Sequence, residues 1–374
     1  MHVRALLLAC ALYLGATTAW AQGGPPAGAG TIARTGVFFE SYSFGAGLAF
    51  DRISEVTIPV TLTQRFGRRV TVDLGTAYAR ASVHETNGNT IDHSGLIDTD
   101  IRATVGVIPG RLIFTLVTTL PTGSTAVPDT TLPLFGATAT DLLGFTTPGF
   151  GSGGGVSAGF ASAFKMGSDW AIGTGASYRH GASYTPVKGG GPLTPGGEVR
   201  ARFGIEGPFG GGKYFRGAFI YTTSGGNDLG GGRESVIGDR ALAYAAVSMP
   251  LGRSNLALYG WEMRRLRSRN FDAPGSVAVP RGNVLALGAR LQRPVSPTLT
   301  LIPLVEFRHE LTGPTDKMEL LGYLVRTGAD ARYRLTESAT AVVQAQLAFG
   351  TLQVDQQNVS VVGPRLGVLI EWTH

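Results

Sequence analysis

The chain has 374 residues, of which 43% are hydrophobic and 16% charged, and its formal net charge is +6. Its 55 glycines are about twice the average share, while β-branched and aromatic residues remain plentiful. This composition excludes a disordered chain and is typical of strands joined by many turns. The positive charge would suit a nucleic acid in a soluble protein, but the arginines are spread singly along candidate strands, so we expect no nucleic-acid partner.

Residues 1–21 predict a cleaved secretory signal peptide. Arg4 precedes an apolar run from Ala5 to Ala16, and Ala19-Trp20-Ala21 supplies a small-x-small cleavage site. The only cysteine of the sequence, Cys10, lies inside the apolar run. We therefore expect a mature chain without disulfides or metal thiolates.

Alternation of polar and apolar residues dominates the rest of the sequence. After residue 21 no apolar stretch reaches the roughly 18 residues that a transmembrane helix requires. Between Glu55 and Arg65, the apolar phase consists of Val56, Ile58, Val60 and Leu62. The pattern recurs as far as Trp372 in candidate strands of about 10 to 15 residues, which suits tilted strands that cross a bilayer. Bulges or breaks are expected where a proline removes a ladder hydrogen bond, at Pro59, Pro303 and Pro364.

Short connections alternate with longer, polar or glycine-rich ones, as in barrels with short periplasmic turns and long outer loops. This spacing predicts an all-β fold, a transmembrane antiparallel β-barrel of about sixteen strands, with twelve or fourteen as open alternatives. We assign residues 22–32 to a flexible N-terminal segment and residues 33–374 to a single barrel domain in the outer membrane of a Gram-negative bacterium. The short connections lie around Gly67, Pro109-Gly110, Gly167-Ser168, Pro208 to Gly212, Leu251-Gly252, Pro294 to Pro297 and Thr336-Glu337.

Aromatic residues on the apolar phase indicate outer-membrane lipid and lipopolysaccharide as partners. Trp170 and Tyr178 are eight residues apart, and Tyr323 and Tyr333 are ten apart. At about 3.3 Å per residue and a tilt near 40°, these separations project to roughly 20 to 25 Å, which is the distance between two interfacial girdles.

The last predicted strand contains Arg365-x-Gly367-x-x-Ile370-x-Trp372. It resembles the polar-x-Gly-x-x-hydrophobic-x-aromatic signal that the outer-membrane assembly machinery reads, and we expect that machinery as a further partner. The aromatic residue of this signal is usually terminal, whereas here two residues follow it.

One enzyme-like string falls within a predicted strand. Gly155-x-Ser157-x-Gly159 has the spacing of a hydrolase nucleophile elbow, but the alternating Val156, Ala158 and Phe160 contradict the strand-turn-helix geometry that an elbow needs. No histidine has metal-ligand spacing to a second ligand. We therefore predict no enzyme, no metal site and no cofactor, and keep a barrel-embedded lipid hydrolase as a less favoured alternative.

The charged residues of the polar phase are predicted to face the lumen, because an arginine facing lipid at the midplane costs about 2 to 4 kcal/mol. Two roles remain open for Arg200, Arg202 and Arg216. They form a basic wall that selects anions, or they pair with Glu198 and Glu206 to hold the barrel together, and the pairing is favoured. The pore-lining candidates are Asp98, Asp100, Arg102, Glu198, Arg200, Arg202, Glu206, Arg216, Arg264, Arg290, Arg308 and Arg326.

The longest connection, about Pro121 to Gly155, is the third outer loop. In sixteen-stranded porins the third loop folds inward and narrows the channel, and here it is apolar, which favours a hydrophobic or aromatic solute. The alternative is a loop packed on the outer rim or against lipopolysaccharide. The constriction candidates are Leu132, Leu134, Phe135, Leu142, Leu143, Phe145 and Phe150.

Two segments carry a family resemblance. Residues 94–101 read Ser-Gly-Leu-Ile-Asp-Thr-Asp-Ile, and residues 119–124 read Thr-Leu-Pro-Thr-Gly-Ser. This pattern, with the strand, turn and strand of residues 61–75, resembles the outer-membrane transporter family of phenol-degradation meta-pathway proteins, although Ile97 replaces a glycine of the family pattern. The resemblance covers roughly the first third of the chain after the signal peptide. It implies a barrel for the passage of small hydrophobic or aromatic compounds, without catalytic residues.

These expectations combine into one functional prediction with alternatives. The chain is predicted to be an outer-membrane channel or transporter for small hydrophobic or aromatic solutes. The first alternative is a general diffusion porin for hydrophilic solutes, and a lipid hydrolase or a closed structural barrel are weaker alternatives.

Overall fold

The computed structural model describes residues 30–228, 233–234, 238–266, 281–313, 319–354 and 357–374. The predicted signal peptide and most of the predicted flexible segment lie outside the described residues. The first strand begins at Thr31, two residues before the predicted start of the barrel at position 33. None of the helices within the described ranges is long and apolar enough to cross a membrane.

Strands account for most of the described chain. A short 3-10 turn at Asp129–Thr131 and one helix, α1 (Leu132–Thr138), lie between the sixth and seventh strands. The strands are β1 (Thr31–Phe44), β2 (Phe50–Phe66), β3 (Val70–Glu85), β4 (Thr90–Leu96), β5 (Thr99–Ile108), β6 (Leu112–Leu120), β7 (Gly155–Met166), β8 (Trp170–Gly181), β9 (Glu198–Pro208), β10 (Tyr214–Ser224), β11 (Asn227–Asp228), β12 (Arg233–Glu234), β13 (Arg240–Leu251), β14 (Ser254–Arg265), β15 (Arg281–Pro294), β16 (Leu299–Gly313), β17 (Glu319–Arg334), β18 (Ala339–Val354) and β19 (Gln357–Thr373).

The strands close into an antiparallel barrel of sixteen strands. β1 pairs with β2 on one side and with β19 on the other, which closes the sheet. β4 and β5 pair with successive parts of β3 and together occupy one strand position. β11 and β12 form a separate two-residue ladder in the connection from β10 to β13. The predicted fold class is therefore confirmed.

Turn positions follow the sequence prediction. Each of the seven predicted short connections joins two neighbouring strands, and all seven lie at the end of the barrel that holds both termini of the sheet. The expected bulges at the three prolines are absent. The ladders run through Pro59, Pro303 and Pro364 without a register shift, since the described shifts lie elsewhere, at Phe50/Arg52, Gly106/Ile108 and Glu310/Leu311.

The wall separates an apolar outer face from a polar and partly filled interior. Along β19, Val362, Leu366 and Val368 are exposed, whereas Val361 and Arg365, on the alternate phase, are buried. The same outward phase carries the predicted aromatic girdle residues, including Tyr178 and Tyr323. A closed sheet satisfies its backbone amides internally, and its apolar exterior suits hydrocarbon. The chain is a transmembrane β-barrel of the bacterial outer-membrane type.

Candidate functional site: the inward loop and the lumen wall

The connection between β6 and β7, residues 121–154, folds into the barrel, and we call it the inward loop. Tyr42 of β1 donates a hydrogen bond from its hydroxyl to the Leu143 carbonyl at 3.0 Å. Its ring meets Phe145 edge to face, with the ring centroids 5.2 Å apart. Both partners of Tyr42 belong to the loop, while Tyr42 lies on the inward phase of its strand. The loop therefore fills part of the lumen and does not rest on the outer rim.

The apolar side chains of the inward loop face the barrel wall. Leu134, Leu142, Leu143, Phe145 and Phe150 are at most 2% exposed. They form one core with inward side chains of the wall: Tyr42, Phe44, Ile53, Ala79, Ala81, Val83, Leu324, Ala348, Val359 and Val361.

This packing corrects the predicted apolar constriction. Phe135 is partly buried against the same core, and Leu132, at 45% exposure, is the one constriction candidate that is largely open. The other candidates hold the loop to β1–β3 and β17–β19 and do not line a passage. Burial of so much apolar surface fixes the loop by the hydrophobic effect.

Two buried carboxylates bind the middle of the inward loop. Glu40 accepts hydrogen bonds from the Thr146 backbone amide at 3.1 Å and from its hydroxyl at 2.9 Å. Glu55 accepts from the Thr147 backbone amide at 2.9 Å. Both carboxylates are only 1% exposed. These hydrogen bonds satisfy buried backbone amides of the loop and fix the loop backbone at two consecutive residues.

Arginines of β17 and β19 complete this attachment. Arg365 forms an ion pair with Glu40 at 2.7 Å and donates to the Thr146 hydroxyl at 3.2 Å. Arg326 donates to the Leu143 carbonyl at 3.0 Å. Arg326 is 6% exposed, so this predicted pore-lining residue is covered by the loop and holds it in place.

Arg308 and Arg265 attach the next part of the loop to the wall. Arg265 of β14 forms an ion pair with Asp141 at 2.6 Å, and Arg308 approaches the Leu142 carbonyl at 3.4 Å. Arg308 also forms an ion pair with Glu306 at 2.8 Å. Arg308, another pore-lining candidate, therefore takes part in the loop attachment.

Asp98 fixes both ends of the inward loop. It lies between β4 and β5 and accepts hydrogen bonds from the Gly123 amide at 3.2 Å and from the Ser152 amide at 2.6 Å. Gly123 has no room for a side chain, because an added Cβ would lie 1.9 Å from the Phe150 carbonyl oxygen. Asp98 was predicted to line the pore, and in the structure it binds the two ends of the inward loop.

The other predicted lumen residues, with the exception of Arg264, lie on the inward phase of their strands. Asp100 accepts from the Thr119 hydroxyl of β6 at 2.6 Å, and Arg102 stands opposite Asp73 of β3. On the far wall, Glu198 forms ion pairs with Arg200 at 2.8 Å and with Arg240 at 3.0 Å.

Glu206, which is 1% exposed, forms an ion pair with Arg216 at 3.1 Å. The structure therefore shows the pairing that the sequence favoured for Arg200 and Arg216. Arg202 lies on the same phase of β9, between Arg200 and Glu206.

Arg264 corrects the predicted set of lumen residues. Its neighbours Trp261 and Arg265 contact Arg308 and Asp141 inside the barrel, so Arg264 lies on the outward phase. It forms an ion pair with Glu262 at 2.8 Å, and its side chain is 62% exposed. Because it stands one residue from the outer end of β14, the charge reaches the rim and avoids the hydrocarbon.

A cavity of about 370 Å³ opens inside the wall formed by β10 and β13–β18. Arg216 and Arg290 of its lining were predicted from the sequence, whereas the tyrosines were not. Each tyrosine lies on the inward phase of its strand, which is the signal that could have found it. The tyrosines, arginines and acid that line the cavity are Tyr214, Tyr244, Tyr259, Arg216, Arg290, Arg332 and Asp330.

The enzyme-like string and the C-terminal pattern both lie in continuous strands. Ser157 stands within β7, opposite Arg179 of β8, and no turn or helix follows it. In β19, Arg365 points inward, whereas Ile370 and Trp372 lie on the outward phase. Gly367 packs against the ring of Phe38, which an added Cβ would approach to 2.4 Å. Across the described ranges, no group of three potential ligands could hold a metal ion.

Comparison with known proteins finds similar backbones but no relative in sequence. No protein-family profile matches the chain, and no curated protein matches it significantly. A bacterial polysaccharide outer-membrane secretin is 10% identical, with 91% of this chain and 98% of the other covered and a TM-score of 0.47. Pseudomonas putida OprB is 10% identical, with 92% of this chain and 94% of the other covered and a TM-score of 0.46. The CymD monoaromatic hydrocarbon channel is 11% identical, with 91% of this chain and 88% of the other covered and a TM-score of 0.42.

Proposed function

We propose that this barrel is an outer-membrane channel for small polar solutes, with a preference for anions. The observation that carries the proposal is the arginine-rich inner wall that the inward loop leaves uncovered. The loop is bonded to β1, β2, β14, β16, β17 and β19. The arginines of β9, β10 and β13 face the lumen beside the cavity that is bounded by β10 and β13–β18.

The charges of this wall favour anions. On β9, β10 and β13, the inward arginines are Arg200, Arg202, Arg216 and Arg240, against two acids, Glu198 and Glu206. Four positive charges against two negative charges leave an excess of two. Fixed charges lining a narrow lumen raise the local concentration of ions of opposite sign.

The structure removes the support for a hydrophobic solute that came from the loop sequence. Six of the seven apolar loop candidates pack against the wall, and the cavity lining contains guanidinium, hydroxyl and amide groups beside Ala246, Ala257, Ile302 and Val342. Liposome swelling with sugars and with neutral aromatic solutes distinguishes the two solute classes. We expect polar solutes to enter, and exclusive entry of the apolar solutes would contradict the proposal.

A planar bilayer measurement tests anion preference directly. Under a KCl gradient, we expect a reversal potential with the sign of chloride selectivity. The double variant Arg200→Gln/Arg202→Gln should reduce the size of this reversal potential, because two positive charges are removed from the wall. Arg264→Gln removes the same kind of charge from the outer rim and should leave selectivity unchanged. Cation selectivity in the native barrel, or absence of conductance, would overturn the proposal.

A further inference from the structure

The cavity inside β10 and β13–β18 has a chemistry of its own. Its volume of about 370 Å³ lies within the range of small-molecule sites in proteins. Ser248 and Asn255 line it and flank the short β13–β14 turn, so the cavity belongs to the end of the lumen away from the inward loop. A solute that passes the loop would meet this cavity before leaving the barrel.

Two guanidinium groups of the cavity have no acidic partner among the described residues. Arg290 and Arg332 form no ion pair with any residue for which the structure gives a position, and the Nε of Arg290 is buried without a hydrogen-bond partner there. The cavity's acid, Asp330, accepts instead from the side-chain amides of Gln344 and Gln346, each at 3.1 Å. Partly buried positive charge without a counter-charge is unfavourable, and a bound anion would compensate it.

Aromatic rings stand beside these charges. The Arg290 guanidinium lies over the Tyr259 ring, 5.5 Å from its centroid. The Tyr259 hydroxyl donates to Glu306 at 2.9 Å, which fixes the ring. Tyr214 and Tyr244 add two more aromatic side chains to the lining. Tyrosine rings offer flat apolar contact with a polar edge, and they stack well on another ring.

We propose that this cavity is a binding site for small aromatic carboxylates, with Arg290 and Arg332 binding the carboxylate and the tyrosines contacting the ring. Guanidinium groups match a carboxylate with two parallel hydrogen bonds, which a chloride ion cannot use. This inference rests on the proposed channel function, because the solute reaches the cavity through the lumen. It narrows that function from anions in general to one chemical class.

Equilibrium dialysis of the refolded barrel in detergent, with radiolabelled benzoate as the probe, tests the site without requiring conduction. We expect saturable binding that cyclohexanecarboxylate and benzyl alcohol displace only weakly, because the first lacks the aromatic ring and the second lacks the charge. Arg290→Gln and Arg332→Gln should each weaken binding by about tenfold or more, as expected for the loss of a charge-assisted hydrogen bond. Arg264→Gln, with the same charge change at the outer rim, should bind benzoate like the native barrel.

Conductance and benzoate binding, measured on the same barrel, separate this inference from the channel proposal. Anion-selective conductance without saturable benzoate binding would overturn the site and leave the channel function standing. Saturable binding by a barrel that conducts no ions would uphold the site and overturn the channel. Equal displacement of benzoate by acetate would overturn the assignment to aromatic ligands, because the tyrosines would then contribute nothing.

Discussion

At the scale of single residues, the buried pair Glu40 and Arg365 joins the barrel wall to the inward loop. The two side chains are 1% and 10% exposed and lie 2.7 Å apart. Removing one partner of a buried ion pair leaves an uncompensated charge, which costs more than the pair contributes. We expect Glu40→Ala to lower the free energy of unfolding by about 3 to 5 kcal/mol, measured by urea titration of the refolded barrel.

The exposed pair Glu262 and Arg264 provides the matched control. Its side chains are 33% and 62% exposed, so water screens the charges. Glu262→Ala should change the free energy of unfolding by only about 0 to 1 kcal/mol. Similar effects of the two substitutions would show that burial of the Glu40 carboxylate contributes nothing particular to stability.

At the scale of elements, the inward loop is a separate packing unit inside a wall that is complete without it. The sixteen-strand ladder closes through β1 and β19, and no residue of the loop takes part in that closure. Replacing residues 128–149 by a short glycine-serine linker should therefore preserve the barrel. We expect single-channel conductance to rise several-fold, because the loop and its apolar core occupy part of the lumen.

Heat-dependent migration on a denaturing gel checks that the shortened barrel still folds. A matched insertion of glycine and serine at Asn87, in the exposed β3–β4 turn, should leave conductance unchanged. A folded barrel with native conductance after loop replacement would mean that the loop does not restrict the passage.

At the scale of the whole molecule, the asymmetry of turns sets the orientation in the membrane. Short turns and both termini of the sheet lie at one end, which faces the periplasm in barrels of this type. The only cysteine, Cys10, lies in the predicted signal peptide, so introduced cysteines report without background. On intact cells a membrane-impermeant maleimide should label Asn87→Cys but not Ser296→Cys. The reverse labelling pattern would contradict the orientation.

The site was only partly predictable, and β14 shows why. Alternation places Glu262 and Arg264 on a polar phase, and polar phases face the lumen wherever the strand runs through hydrocarbon. The phase stays constant along β14, where Ala257 and Tyr259 line the cavity and Trp261 contacts Arg308. Glu262 and Arg264 therefore lie on the outward phase with Leu258. Whether a charged residue can occupy that phase depends on the height of the strand end in the membrane, which the local pattern does not contain.

Local sequence was enough to predict an antiparallel barrel, its short turns and about sixteen strands, with twelve or fourteen left open, because period-two alternation and turn residues act over a few neighbouring positions. The contents of the lumen depended on contacts that form only in the folded barrel. Glu40 and Arg365 are far apart in the chain and meet because β1 pairs with β19, and Arg326 of β17 meets Leu143 of the loop inside the barrel. The apolar loop residues could have faced a passage or the wall, and the burial of apolar surface against β1–β3 and β17–β19 selected the wall.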